Sequence, residues 1–303
     1  MKIGIFGGPL GKGGYEAMVA DVAAAAEAGF DSYWLSQIVG QADSMTLLGS
    51  ISREVSDIRL GTSVVPTYPR HPMVMAEQAR TVNLMSGNRF NLGIGLSHQP
   101  VVEGMWGYSF DKPLRHAREY MEALMPLVRG ENTSAVGETI TARGQLTVGD
   151  SAEVPPVYLA ALGPQMLKLA GRTCDGTITW MTGAKTLGSL TVPTITEAAA
   201  AAGRPEPEIV AGMPMWVTDN VDHGREMAAK TYEIYGQLPS YRAMLDREGI
   251  AGPADLAIVG DENSCRARIE ELQAAGVTKL TASEFADNAE DRQRTRALLA
   301  SLL

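Results

Sequence analysis

The architecture of this chain is set by residues 58–98, IRLGTSVVPTYPRHPMVMAEQARTVNLMSGNRFNLGIGLSH. A β-rich run opens the segment, and prolines then prevent a helix until Pro72, which suits a first helical turn because proline has no N–H to satisfy. Apolar residues recur at helical spacing from there, and Ser86-Gly87 predicts the end of the helix. A second apolar run, Phe90–Ile94, predicts the next strand. The segment therefore predicts a strand, helix, strand unit with two parallel strands.

The same succession of strand and helix repeats along the chain. The predicted strands are Ile3–Phe6, Ser32–Leu35, Ile58–Leu60 with Thr62–Val65, Phe90–Ile94, Val157–Ala160, Thr177–Trp180, Glu208–Val217 and Lys279–Ser283. Eight such units in 303 residues predict a (β/α)8 TIM barrel in which residues 1–303 form a single domain. An open doubly wound sheet would carry G-x-G-x-x-G directly after the first strand, and Gly7–Gly11 does not fit that motif.

One stretch, residues 130–155, departs from this repeat. It contains GENTSAVGETITARGQLTVGD, in which polar and β-branched residues alternate between glycines. This pattern predicts a short hairpin inserted between the fourth helix and the fifth strand. We expect an insertion here and not a second domain.

Composition and charge narrow the classes of function. The net charge is −9 and charged residues make up 20% of the chain, with no basic stripe for nucleic acid. No apolar run is long enough to span a bilayer, and the first residues lack the layout of a signal peptide. We therefore expect a cytoplasmic protein that has a small-molecule substrate and no nucleic-acid or membrane partner.

In a barrel of this kind the catalytic groups lie on the loops that follow the strands. The residues there are mostly neutral and include Gly7, Gly8, Ser36, Gln37, Ser63, Val64, Ser97, His98, Ala161, Leu162, Met181, Thr182 and Glu284. The four histidines show neither an H-x-H pair nor a nearby carboxylate, so no metal site is predicted and a metal-dependent hydrolase is disfavoured. No nucleophile elbow or phosphate loop of the NTPase type is present either. Chemistry supplied by a bound organic cofactor fits this residue set better.

Gly163-Pro164, at the start of a predicted helix, gives the clearest sign of a ligand. Free N–H groups and the positive end of the helix dipole make such a position an anion site that needs no lysine. A phosphate would fit there. The same dipeptide can also simply begin a helix, and this alternative stays open.

Several stretches resemble the bacterial-luciferase-like superfamily, within its actinobacterial branch that depends on the deazaflavin coenzyme F420. They are Thr62-Ser63-Val64, RHPMVMAEQARTVNLMSGNRFNLGIGLSH, VYLAALGPQMLKLAGRTCDGTITW and IVGDENSCRARIEELQAAGVTKL. The resemblance spans nearly the whole chain and implies a TIM barrel with the cofactor ring at the carboxyl ends of the strands. Members that use flavin mononucleotide (FMN) share these stretches, so FMN remains the alternative cofactor.

The resemblance also assigns residues to the cofactor. It implies a non-prolyl cis peptide between Ser63 and Val64, behind the ring. It places Gly95, Ser97 and His98 beside the ring and the phosphoribityl chain, and it places Gln37 where several relatives have an acidic residue that contacts the ring. The residues that it assigns to the phosphate loop are Ala161, Leu162, Gly163 and Pro164.

Two departures bear on the substrate. Ile38 stands where the related sugar-phosphate dehydrogenases have a histidine, and His98 aligns with a glutamate of those enzymes. A sugar-phosphate reaction is therefore doubtful. His98 is the candidate proton donor, because its titration lies near neutrality; the alternative is that it only positions the ribityl chain. Glu284, after the last strand, is a weaker acid or base candidate, since a solvated strand-end carboxylate explains it equally.

Three functions stay open at this point. The first is an F420-dependent oxidoreductase that transfers a hydride between C5 of the cofactor and an unknown organic substrate. The second is an FMN-dependent two-component monooxygenase, and the third is a non-catalytic protein that binds the cofactor. By analogy with the family, we expect a homodimer and a separate enzyme that reduces the cofactor.

Overall fold

The computed structural model describes residues 1–11, 13–148 and 153–303. Its strands are, in chain order, β1 (Lys2–Gly7), β2 (Ser32–Leu35), β3 (Arg59–Thr62), β4 (Val65–Pro66), β5 (Phe90–Gly95), β6 (Thr133–Val136), β7 (Thr141–Gly144), β8 (Val157–Ala160), β9 (Gly176–Trp180), β10 (Glu208–Val217), β11 (Ile258–Gly260) and β12 (Lys279–Glu284).

The helices lie between these strands. They are α1 (Gly14–Glu27), α2 (Ser44–Glu54), α3 (Pro72–Met85), α4 (Gln99–Gly104), α5 (Pro113–Val128), α6 (Pro164–Thr173), α7 (Ala184–Thr186), α8 (Val192–Ala201), α9 (Val221–Tyr232), α10 (Pro239–Glu248), α11 (Glu262–Ala274) and α12 (Ala289–Ala300). A π-helical segment joins α7 to α8, and short 3₁₀ segments follow α9 and α10. Among the described residues, no helix is both long and apolar enough to cross a membrane.

Eight of the described strands close a parallel barrel. Their order around the ring is β1, β2, β3, β5, β8, β9, β10 and β12, and β12 pairs with β1 to close it. This arrangement confirms the predicted (β/α)8 fold. The predicted hairpin is also confirmed, since β6 and β7 are antiparallel and lie between α5 and the fifth barrel strand, β8. Residues 149–152 of that insertion lie outside the described residues.

The segment that predicted the fold forms the expected unit, with one difference. Its two barrel strands, β3 and β5, are parallel, and Leu60 pairs with Phe90. Pro72 lies in the first turn of α3, as predicted. The single β-rich run, however, is divided into β3 and β4, because Ser63 and Val64 leave the ladder between them.

Large and small side chains complement each other inside the barrel. Trp34, Tyr158, Ile178 and Val210 form a fully buried cluster there. A Cβ atom on Gly61 would lie only 2.4 Å from the Trp34 ring, so a glycine is required on the neighbouring strand. Close packing of this kind fills the middle of the barrel with side chains and leaves the two ends for polar groups.

The amino ends of the strands carry a buried group of ions, which we call the basal ion cluster: Lys279, Asp31, Glu208 and Tyr158. Lys279 is 2% exposed, and its Nζ lies 3.0 Å from Asp31 Oδ2 and 3.7 Å from Glu208 Oε2. The Tyr158 hydroxyl donates to Glu208 Oε2 at 2.6 Å. Burial alone would raise the pKa of Asp31, but the charge and hydrogen bond of Lys279 together with the charge of Lys2 outweigh it, and the pKa is lowered. The charges at this end therefore satisfy one another.

The long strand β10 pairs with different strands along its length. Its first half pairs with β9, and its last residues pair with β11, where Met215 lies opposite Ile258 and Val217 opposite Gly260. Residues 218–257, which we call the β10–β11 excursion, leave from one of these paired strands and return to the other. The sequence did not predict β11 or α10, which belong to this region.

Candidate active site

Backbone strain marks the carboxyl ends of two barrel strands. Ser97, in the loop after β5, has φ of 65°, and Met181, directly after β9, has φ of 47°. Side chains other than glycine rarely adopt this left-handed region, and such positions cluster where a protein binds or transforms a ligand. Strained backbone therefore occurs at the end of the barrel where the sequence predicts the site.

The structure places the carboxyl ends of β3, β5 and β8 close together. A Cβ atom on Gly95 would lie 2.7 Å from Val64 Cγ2 and 3.1 Å from Ala160 Cβ. Glycine at position 95 thus lets Val64, which follows β3, and Ala160, at the end of β8, approach the end of β5. The peptide bond between Ser63 and Val64 is cis, which confirms that expectation. The assignment of Ser63 and Val64 to the cofactor remains a prediction.

His98 is half-buried and is the N-cap residue that directly precedes α4. Burial lowers the pKa of its imidazole from the ordinary value of 6.5, so the ring is neutral at pH 7. Within the part of the chain that is described, neither ring nitrogen has a hydrogen-bond partner. One nitrogen is therefore a free donor and the other a free acceptor. This state suits a group that exchanges a proton with a ligand.

The predicted phosphate loop ends at an open helix terminus. Gly163 precedes the first turn of α6 with extended backbone, and no side chain caps the helix. The N–H groups of Gln165 and Met166 have no acceptor among the described residues, and a Cβ atom on Gly163 would touch nothing within 4 Å. Ala161 is buried, and Leu162 packs against the core. Empty space thus adjoins free N–H groups at the positive end of a helix dipole.

Gln37 has a structural partner that the sequence did not reveal. Its side-chain oxygen accepts hydrogen bonds from Ser44 N at 2.8 Å and from Ser44 Oγ at 3.1 Å. The side chain of Asp43 accepts from Thr46 N in the same turn. Gln37 therefore holds the start of α2 against the loop after β2. Its predicted contact with the cofactor would have to use the remaining amide N–H₂ group.

Five rings form a continuous row at this end of the barrel, which we call the aromatic arc: Phe6, Trp180, Tyr235, Tyr241 and His98. Neighbouring ring centroids are 5.1, 6.2, 4.9 and 5.9 Å apart along the row. Tyr235 and Tyr241 come from the β10–β11 excursion, which therefore reaches across to the loop after β5. Burial raises the pKa of both tyrosines, so their hydroxyl groups stay protonated.

The sequence analysis missed Tyr235 and Tyr241, although it contained one sign of them. Three of the nine tyrosines fall within YEIYGQLPSY, residues 232–241. Glu284 is not the solvated carboxylate that its position at a strand end suggested, and its role as an acid or base stays an untested prediction. Its two oxygens accept from Arg296 at 2.7 and 2.5 Å, and its side chain is 7% exposed. Glu284 thus ties the end of β12 to α12.

A family model described as luciferase-like monooxygenase matches residues 2–279. The chain belongs to this family. Membership confirms the resemblance to the luciferase-like superfamily, and it agrees with a site at the carboxyl ends of the strands. Within the described residues, no group of three or more His, Cys, Asp or Glu side chains is placed to hold a metal ion.

Individual relatives of this family member carry more specific names. A 5,10-methylenetetrahydromethanopterin reductase of Methanolobus tindarius is 28% identical over 286 residues, covering 85% of this chain and 87% of that protein. An F420-dependent glucose-6-phosphate dehydrogenase of Beutenbergia cavernae is 32% identical over 226 residues, covering 70% and 67% respectively. The solved coenzyme F420-dependent tetrahydromethanopterin reductase of Methanopyrus kandleri superimposes with a TM-score of 0.83 at 22% identity, covering 99% and 97%. This last similarity supports the barrel fold.

Proposed function

We propose that the protein is an F420-dependent oxidoreductase that transfers a hydride between C5 of the deazaflavin and a small organic substrate. The family membership supports an enzyme of this class, and the dehydrogenase of Beutenbergia cavernae is named as F420-dependent. The M. kandleri reductase, which has the same fold, is also named as F420-dependent. The observation that carries the proposal is the open amino terminus of α6 at the predicted phosphate loop.

The residues present fit such a cofactor. A phosphate needs donors without competing carboxylates, and α6 offers the free N–H groups of Gln165 and Met166 beside the open space at Gly163. The corresponding terminus after β9 is different, because Glu248 accepts a hydrogen bond from Thr186 N at 2.6 Å and so occupies it. Of these two termini, only that of α6 is free for an anion.

The remaining predicted residues would hold the ring. Ser63, Val64 and Gly95 lie against one another at the ends of β3 and β5, where they offer a compact, mostly apolar surface. Ser97 and His98 follow directly, and Gln37 has amide N–H groups left after its bond to Ser44. We assign Ala161, Leu162, Gly163 and Pro164 to the phosphate and these residues to the ring and its side chain.

When bound, deazaflavin supplies two-electron chemistry by accepting or donating a hydride at its C5 carbon. The protein has to orient the substrate and move the accompanying proton. His98 is placed for the second task, because its neutral ring presents one N–H and one bare nitrogen without a protein partner. In the direction of substrate oxidation the neutral ring of His98 would accept the proton and become imidazolium, and in the direction of reduction this imidazolium would donate the proton back.

Two fluorescence titrations of the purified protein test this function, one with F420 and one with FMN. We expect F420 to bind at least a hundredfold more tightly than FMN. A preference for FMN would contradict the proposal and favour the two-component monooxygenase. Binding of neither would overturn both. Tight F420 binding without any hydride transfer to a broad panel of carbonyls, imines and nitro compounds would favour the non-catalytic alternative.

We also propose that the protein forms a homodimer and receives reduced cofactor from a separate enzyme. Exposed apolar side chains at the two ends of α3, Val74, Leu84 and Met85, support an interface on that helix. Light scattering of the wild type and of Leu84→Glu tests the dimer. We expect a dimer for the wild type and a monomer, or a much weaker dimer, for the variant.

A further inference from the structure

The aromatic arc has a chemical character that points to a class of substrate. We propose that the arc binds the substrate and that this substrate is a neutral, planar, largely apolar molecule. The inference rests on the proposed function, because His98 lies at one end of the arc and also beside the proposed ring site. It goes further by stating which molecules the enzyme accepts.

The geometry of the arc suits flat, apolar ligands. The rings of His98 and Tyr241 meet at 61°, and those of Tyr241 and Tyr235 meet at 65°, so both pairs are close to edge-to-face. Such rings add a flat ligand readily, because aromatic groups pack well with centroids about 4.5–7 Å apart. Trp180 and Phe6 extend this surface to the floor of the site, inside the ends of β9 and β1.

The charges around the arc disfavour an anionic substrate. Arg242, next to Tyr241 in sequence, donates to Asp246 Oδ1 at 2.8 Å and to the carbonyls of Ala251 and Ile250 at 2.8 and 3.0 Å. Lys185, on α7 after β9, donates to the carbonyl of Glu248. Both cations therefore already have protein acceptors. A carboxylate or phosphate on the substrate would lose its hydration here without gaining a strong partner.

The surroundings of the arc are apolar as well. Leu10 and Ile38, on the loops after β1 and β2, are exposed, and so is Ile234, next to Tyr235 in the excursion. Exposed apolar groups at the same end as a site commonly mark where an apolar ligand enters. The arc also carries polar groups for recognition. The Tyr241 hydroxyl, kept protonated by burial, can donate a hydrogen bond to a carbonyl oxygen beside His98.

Calorimetric titration with two ligands of equal ring size tests the inference. The first is 2-acetylnaphthalene, a neutral planar ketone, and the second is 2-naphthoate, its carboxylate counterpart. We expect the F420-saturated protein to bind the ketone at least tenfold more tightly than the carboxylate. Equal or tighter binding of 2-naphthoate would overturn the inference.

Variants locate the binding surface. We expect Tyr235→Ala and Tyr241→Ala each to weaken binding of the ketone at least fivefold, whereas Tyr241→Phe, which keeps the ring, should weaken it less than Tyr241→Ala. Tyr108→Ala is the matched control, because Tyr108 is exposed and contacts Tyr68 and no member of the arc. Its binding should stay within twofold of the wild type. Unchanged binding in all the arc variants would also overturn the inference, and melting temperatures show that each variant is folded.

The F420 titration separates this inference from the proposed function. If F420 binds and the ketone does not, the arc is not the substrate site but the proposed function stands. If the protein without cofactor binds the ketone through Tyr235 and Tyr241 but does not bind F420, the cofactor assignment fails and the arc stands as a binding surface for neutral planar molecules.

Discussion

Polar groups at the two ends of the barrel differ in whether they have partners within the protein. At the amino end, Lys279 is buried between Asp31 and Glu208, and every charge of the basal ion cluster has a partner. At the carboxyl end, the ring nitrogens of His98 and the first N–H groups of α6 have no partner among the described residues. His98 is half-buried and Gln165 is exposed, so water can satisfy these groups until a ligand replaces it.

This difference separates stability from function within one fold. Substitutions at the amino end should lower the free energy of unfolding and leave ligand binding intact in the folded molecules. Substitutions in the candidate site at the carboxyl end should weaken ligand binding or turnover and leave the free energy of unfolding nearly unchanged. Two of the three described non-glycine residues with positive φ, Ser97 and Met181, lie at the carboxyl end, and the third, Asn88, lies in the turn before β5.

The largest effect on function is expected for His98→Asn. Loss of the group that moves the proton should lower kcat by about 10²–10⁴, because general acid or base catalysis contributes roughly that factor. The dissociation constant of F420 should change much less. Single-turnover measurements that follow the deazaflavin absorbance, with a substrate that the wild type converts, give the rate.

The pH profile of the same reaction is a control for the role of His98. Burial lowers its pKa below 6.5, so the wild-type rate of substrate oxidation should be constant above that pH and fall as the pH drops through the lowered pKa. This fall in rate at low pH should disappear in His98→Asn. If the variant shows the same fall in rate, another group accepts the proton.

The largest effect on stability is expected for Lys279→Met. Removing this buried cation leaves Asp31 and Glu208 without their main partner and should lower the free energy of unfolding by about 3 kcal/mol. Lys2→Met is the matched control: Lys2 also pairs with Asp31, at 3.3 Å, but it is 60% exposed and should contribute less than about 1 kcal/mol. Urea denaturation measures both, and F420 binding per folded molecule should be unchanged.

The pH dependence of this loss has a definite sign. In the wild type the pKa of Asp31 is lowered from 3.8, so its stabilising contribution is present above that value and is lost as the pH falls through the lowered pKa. Without Lys279, burial dominates and the protonated acid becomes the favoured form. The destabilisation by Lys279→Met should therefore shrink as the pH falls from 7 towards 4. A destabilisation that is the same at both pH values would contradict the pairing.

Gly163→Asp tests the anion site at the carboxyl end. The new side chain has room, because a Cβ atom at this position meets nothing within 4 Å, and an aspartate should cap α6 well. The melting temperature should therefore stay the same or rise, while the carboxylate repels the cofactor phosphate and weakens F420 binding by about 10–100-fold, or about 1.4–2.7 kcal/mol. Gly163→Ser is the neutral control and should weaken binding less. If Gly163→Asp binds F420 as tightly as the wild type does, the cofactor phosphate does not bind at the start of α6.

The smallest functional effect is expected for Glu284→Gln. This residue lies at the same end as the candidate site, yet its oxygens are bound to Arg296. The substitution should lower the free energy of unfolding by about 1–2 kcal/mol and change kcat and F420 binding less than twofold. A tenfold loss of turnover would contradict this purely structural role and would mean that Glu284 takes part in the reaction.

The sequence predicted the barrel because each of its eight strands carries a local apolar pattern between helix signals. It failed where a local signal was too short. The strand β11 has only three residues, so no periodicity could show it, and its pairing with β10 depends on tertiary contact.

The site was predictable only where its residues follow strands in the sequence. Gly95, Ser97, His98 and the loop 161–164 could be located in this way, and their roles rest on the family resemblance. Tyr235 and Tyr241 could not, because they reach His98 and Trp180 through the path of the excursion. Glu284 was misjudged because its partner, Arg296, lies on a helix whose packing no pattern revealed.

Because β10 pairs with both β9 and β11, the β10–β11 excursion can be exchanged without changing the barrel. Both of its ends are anchored in the same short parallel ladder, where Val217 lies opposite Gly260, and the barrel ring closes through the first half of β10 without it. Residues 218–257 could therefore be exchanged between family members as one cassette that carries Tyr235 and Tyr241. In such chimaeras the protein that donates residues 218–257 should determine the substrate specificity, and the protein that supplies the barrel should determine the cofactor specificity.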